Sequence, residues 1–131
     1  MHELTTMRLV GKVVSGCGEG RKYLQLNWVQ QQISETLGFN PFLGTLNLQL
    51  DHESAKLRRQ LDANAAVCVC TSEGYRSGLL FKATIVGMAC GVIIPQIENY
   101  PDDRLEVVSS ANLRRTLRLS DGDRVEVTVT L

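Results

Sequence analysis

Four groups of residues have types and spacings that can do chemistry. The first is Gly16-Cys17-Gly18-Glu19-Gly20 in VVSGCGEGRKYL, followed by Arg21 and Lys22. Alternating glycines let a backbone take unusual dihedrals and turn several N–H groups toward one anion. The run lacks both the GK[ST] ending of a Walker loop and GxGxxG spacing. Two readings stay open: a phosphate cradle helped by Arg21 and Lys22, or a tight turn or bulge between strands. The second group is Thr45 and Asn47 in GTLNLQL. Residues two apart on a strand leave the same face, about 6–7 Å apart at Cα. Two short neutral oxygens there can lean toward magnesium, which takes few protein ligands and keeps waters and phosphate oxygens. A strand with a solvated polar face has the same pattern. The third group is Asn112, Leu113, Arg114 and Arg115 in ANLRRTLR, with Arg118 behind them. A helix start there can offer N–H groups to an anion, or the basic residues simply form a solvated face. The fourth is Glu106 in RLEVV, a strand carboxylate facing either solvent or a pocket. No protein nucleophile and no general base stand out. A glycine loop, a cation pair and a second basic element suit phosphoryl transfer, where catalysis is largely positioning and charge neutralisation.

The elements that must hold these residues follow from periodicity and punctuation. Met7–Ser15 reads as a strand, residues 16–21 as a loop and Lys22–Leu26 as a short strand. Trp28–Leu37 reads as a helix closed by Gly38. FNPF marks a turn before Thr45–Leu50, where Leu46, Leu48 and Leu50 alternate with Thr45, Asn47 and Gln49. Asp51 is an N-cap for HESAKLRRQL. Strands follow over Ala65–Thr71, Leu79–Val86, Met88–Ile94 and Arg104–Val108. Ser109 or Ser110 is expected to cap a helix over Ala111–Leu117, and SDGD leads into a closing strand, RVEVTVTL. Six or more strands with a few short helices, not in strict βαβ order, predict a mainly β protein: a small closed barrel rather than a doubly wound sheet.

The 131 residues fit one domain, expected to span 1–131. With 44% apolar and 21% charged residues the chain is globular rather than disordered. Fourteen Lys plus Arg balance fourteen Asp plus Glu, so no nucleic-acid or membrane partner is expected. No run is long enough to cross a membrane and MHELTTMRLVG lacks a signal-peptide centre, which predicts a cytoplasmic location. Cys17, Cys68, Cys70 and Cys90 form no CxxC pair, and His2 and His52 are the only histidines. Neither a zinc site nor a histidine triad is indicated.

The chain resembles the archaeal CTP-dependent riboflavin kinases. The resemblance rests on VVSGCGEGRKYL, LGFNPFLGTLNLQL, VIIPQIENYPDDRLEVV and NLRRTLRLSDGDRVEV, which occur in the family's order across nearly the whole sequence. It implies a six-stranded cradle-loop (RIFT-like) barrel that uses CTP and magnesium to convert riboflavin to FMN, releasing CDP. By position, Gly16, Cys17, Gly18, Glu19, Gly20 and Arg21 correspond to the nucleotide loop. Asn112, Leu113, Arg114 and Arg115 correspond to a second nucleotide-contacting segment. Thr45 and Asn47 correspond to the magnesium pair, and Glu98 and Glu106 to flavin contacts. Two positions depart from the family pattern: Glu98 stands where threonine is usual, and Arg115 where glutamate is frequent. Two other readings compete: a non-catalytic flavin- or nucleotide-binding module on the same barrel, and a DNA-binding barrel suggested by LSDGDRVEV alone.

Overall fold

A computed structural model describes residues 5–16, 22, 24–61, 67–70 and 76–131, with the backbone alone at 67, 68, 70, 76 and 77. Seven strands run in chain order: β1 (Thr6–Val14), β2 (Leu46–Leu50), β3 (Val67–Cys70), β4 (Arg76–Ile85), β5 (Met88–Pro95), β6 (Arg104–Val108) and β7 (Arg124–Thr130). Their order in the sheet is β3-β4-β5-β6-β2-β1-β7, and β7 pairs back onto β4. Six antiparallel strands therefore close a barrel, as the strand pattern predicts. β3 lies outside the ring, paired to the first half of β4, while β7 takes the second half of that edge through Ala83 and Thr84. Closure leaves the ring without free edges.

Alternation along each strand sorts side chains between two apolar clusters. Leu9 and Val13 of β1, Leu46, Leu48 and Leu50 of β2, Phe81 of β4, Val92 of β5, Leu105 and Val107 of β6 and the three valines of β7 fill the barrel interior. The interior is a packed core, and a second apolar cluster lies on the outer wall. There, helix α1 (Asn27–Leu37) lays Val29 and Ile33 onto Leu80, Ile93 and Val108 of β4, β5 and β6, with Leu24 and Val69 alongside. Gly91 of β5 permits this closeness, because a Cβ there would stand 2.6 Å from Cδ1 of Leu37.

Helix boundaries follow local chemistry. α1 ends at Gly38, whose φ of 79° is left-handed and whose N–H donates to the Ser34 carbonyl. Helix α2 (His52–Arg59) starts at Asp51, whose side chain accepts from the Ser54 N–H at 2.8 Å. Ser54 in turn accepts from the Val10 N–H, tying α2 to β1. Two expectations are corrected. Lys22 and Leu24 are helical, not a strand; Leu24 is fully buried beneath α1, and the apolar contact decides its conformation. Helix α3 (Leu113–Thr116) is capped by Asn112, which accepts from the Arg115 N–H, and not by Ser109 or Ser110. Ser109 ends buried, donating to the Ala89 carbonyl.

At Gly38 an added Cβ would meet nothing within 4 Å, so a substitution there changes backbone preference alone. Gly38→Ala is expected to cost about 1–2 kcal/mol, seen as a lower urea midpoint with an unchanged slope. Gly38→Asn should recover part of it, since asparagine tolerates this conformation.

Candidate functional site

The alternation that sends the β2 leucines inward sends Thr45 and Asn47 outward. The β2–β6 register places Asn47 opposite Glu106 and Gln49 opposite Arg104. Thr45, Asn47, Arg104 and Glu106 thus share one patch of the outer wall. β5 continues it with Ile93 opposite Glu106, so the carboxylate lies at the margin of the apolar cluster under α1.

Two clefts flank this patch. The first has a volume of about 300 Å³. Its walls are Gly16 at the end of β1, Thr45 and Asn47, Phe42 from the preceding loop, and Asn112, Leu113 and Arg114 at the start of α3. The beginning of the glycine loop, the hydroxyl–amide pair and the second basic segment therefore face one another. The second cleft, of about 290 Å³, is lined by Asn47, Ile97, Asn99, Tyr100, Pro101, Arg104 and Glu106. Asn47 belongs to both, as a shared wall.

A hydrogen-bonded chain crosses that wall. Thr45 Oγ1 donates to Glu106 Oε1 at 2.9 Å. The Tyr100 hydroxyl donates to Glu106 Oε2 at 2.5 Å. Asn47 Nδ2 approaches Thr45 Oγ1 at 3.3 Å, and Asn47 Oδ1 accepts from Arg104 Nη1 at 3.2 Å. Glu106 is only 3% exposed, so these two hydroxyls stand in for the water its carboxylate has lost. Burial first, then the bond to Glu106, raises the Tyr100 pKa well above that of an ordinary phenol, so Tyr100 stays a donor. Behind Tyr100, the Arg58 guanidinium of α2 stacks 5.6 Å from the ring centroid.

Gly16 lies directly against this network. A Cβ at position 16 would sit 2.4 Å from Asn47 Nδ2 and 2.8 Å from its Cγ. Cys17, Gly18, Glu19, Gly20 and Arg21 lie outside the described residues.

At the other wall Arg114 forms an ion pair with Asp121, which also accepts from Ser15 Oγ at 3.1 Å. These bonds, Arg114's before Ser15's, hold the Asp121 carboxyl below its usual range. The SDGD turn is thereby fastened to both walls of the first cleft. Arg115 does not line the cleft; its N–H is taken by the Asn112 cap at 3.2 Å. Glu98 is exposed and lines a neighbouring recess with Arg58 and Gln96, apart from Glu106, although Ile97 and Tyr100 border both spaces. Tyr100, Arg104 and Asp121 were not singled out from sequence. The alternation of Arg104 with Glu106 was the one available signal. No cluster of three or more His, Cys, Asp or Glu occurs among the described residues, and no helix there is long and apolar enough to cross a membrane.

The family model for CTP-dependent riboflavin kinases, described as a domain of unknown function, DUF120, matches residues 13–129. A riboflavin kinase of Pyrobaculum aerophilum is 38% identical over 98% of this chain and 63% of its own length. One of Pyrobaculum arsenaticum is 42% identical with the same coverage. A third, from Archaeoglobus fulgidus, is 41% identical over 96% of this chain and 56% of its own. The chain thus spans less than two thirds of the length of these relatives. With the barrel, the glycine-to-amide contact and the Thr45–Asn47 pair already in place, a match over residues 13–129 settles the kinship: the chain belongs to the CTP-dependent riboflavin kinase family.

Proposed function

We propose that residues 1–131 form one riboflavin kinase domain that transfers the γ-phosphate of CTP to the terminal ribityl hydroxyl of riboflavin, giving FMN and CDP, with magnesium. One observation carries this reading. Gly16, Thr45, Asn47 and Asn112–Arg114 line one cleft, and its shared wall, Asn47, opens onto a second cleft that holds Glu106. A donor on one side and an acceptor on the other would meet across that wall.

Thr45 and Asn47 can offer magnesium two neutral oxygens, a type it takes alongside waters and nucleotide oxygens; Asn47 Oδ1 would have to exchange its bond from Arg104 Nη1 for the cation. Thr45 gives its proton to Glu106; of its two lone pairs one faces Asn47 Nδ2 at 3.3 Å and the other can meet a cation. Bound there, magnesium would offset charge on the transferring group and orient the phosphate oxygens. The residues do the remainder. Gly16 would border the phosphates, with Asn112 and Arg114 opposite. Glu106 and Tyr100 fix the flavin in the second cleft so that its hydroxyl faces the phosphorus in line. The bond from that hydroxyl to phosphorus forms as the bond to the CDP oxygen breaks, and the hydroxyl proton leaves to solvent. A loose transition state demands little of a base.

Incubation with riboflavin, magnesium and CTP should yield FMN by chromatography, with ATP as the comparison donor; no FMN from any nucleotide sinks the reading. Thr45→Ala and Asn47→Ala should each raise the magnesium needed for half-maximal rate at least about tenfold, the loss typical even of groups that only support a metal ligand. Wild-type rates for both at low magnesium would show the cation lies elsewhere. Gly16→Ala should cut the rate by about 10- to 100-fold, the effect of an ångström-scale misplacement in a reacting site, with little change in melting temperature. An active Gly16→Ala protein would mean that the contact with Asn47 is incidental.

A further inference from the structure

Glu106 joins the two clefts through one carboxylate. Oε1 takes the proton of Thr45, which lines the first cleft and not the second, and Oε2 takes that of Tyr100, which lines the second and not the first. A hydroxyl has one proton to give, and once it is committed the lone pairs point elsewhere. Without Glu106 the Thr45 hydroxyl could rotate among its staggered positions and offer a proton, rather than an oxygen, to an incoming cation. Glu106 cannot rotate away cheaply. It is 3% exposed, and leaving its two partners would strand a buried charge. Tyr100 is held in turn by Arg58, which is only 8% exposed and stacks on the ring. Arg58 Nε makes no hydrogen bond among the described residues, so the ring contact and packing set its place.

Building on the proposed kinase reading, we propose that Glu106, beyond its place at the flavin side, is a positioning residue for the cation side: by taking the Thr45 proton it presets that oxygen as a metal ligand, and so couples the two substrate sites. A cation on Thr45 would polarise the O–H and strengthen its bond to Glu106. A flavin that draws on Glu106 changes the same bond from the other end, and such coupling is reciprocal.

The test measures binding without turnover. Flavin-free protein is titrated calorimetrically with magnesium–CDP, and with CDP in EDTA. Glu106→Leu should weaken magnesium–CDP binding about tenfold, the scale of one hydrogen bond to a charged group, and leave CDP in EDTA unchanged. Thr45→Val should show a similar loss, and the double variant should be no worse than Thr45→Val alone. That non-additivity is what a general structural defect would not produce. Should Glu106→Leu not fold, the isosteric Glu106→Gln takes its place, with a loss of about threefold and the same non-additivity. Unchanged magnesium–CDP affinity, or losses that add, would overturn the coupling alone. Wild-type protein that binds no magnesium–CDP would overturn the kinase reading together with it.

Discussion

The pairing of β2 with β6 is the constraint on which the site depends. Its register sets Leu46 against Val107 and Leu48 against Leu105 inside the barrel, and Asn47 against Glu106 outside. Side chains alternate with period two, so a slip of one residue would exchange the faces. Leu46, Leu48 and Leu50 would then meet water, while Thr45 and Asn47 entered a dry core. Each buried leucine contributes about 1.5–3 kcal/mol, and a whole domain is stable by only about 5–15 kcal/mol. The slipped register is therefore not a competing state. The packing of the core is what holds the polar pair in place.

The position of the site on the outer wall has an equally plain cause. α1 covers the wall over β4, β5 and the end of β6, packing on Leu80, Ile93 and Val108. At its end Leu37 lies close over Gly91. Just past that contact the wall turns polar at Glu106, Asn47 and Arg104. A carboxylate at such a margin loses much of its water without losing access to a cleft. Burial of a charge is tolerated only with full hydrogen bonding, and the hydroxyls of Thr45 and Tyr100 meet that need from opposite sides. Rigidity follows, because no member of the chain can move without stranding another.

Most of the barrel was legible in the sequence because alternation and caps are local signals. The β2 leucines, Asp51 before α2 and Gly38 after α1 declare themselves within a few residues. The failures share a cause in distant contacts. Leu24 has strand-like neighbours, yet it is helical where it is buried under α1. Ser109 looks like a cap, but its hydroxyl is claimed by the Ala89 carbonyl twenty residues away. In the site, Thr45 and Asn47 were readable as a same-face pair because they lie on one strand. The bond from Thr45 to Glu106 spans 61 positions and Arg104 to Asn47 spans 57. Only the β2–β6 register reveals them. Tyr100 sits in a loop where residue type alone gives no reason to choose it over its neighbours.

Among the described residues, the charged groups lining the two clefts are already partnered within the chain. Arg114 holds Asp121, and Arg104 holds the Asn47 amide. A phosphate entering the first cleft would therefore replace one partner of Arg114 by another, and the net gain from that cation is smaller than its bare charge suggests. The exposed pair at the rim is easily exchanged, since surface ion pairs are held weakly. The buried chain at the shared wall is not. On the proposed reading, discrimination would fall to the contacts of Gly16 with Asn47 and of Thr45 with Glu106, which the β2–β6 register holds in place. On the same reading, the rim arginine would supply attraction that is surrendered when a product leaves.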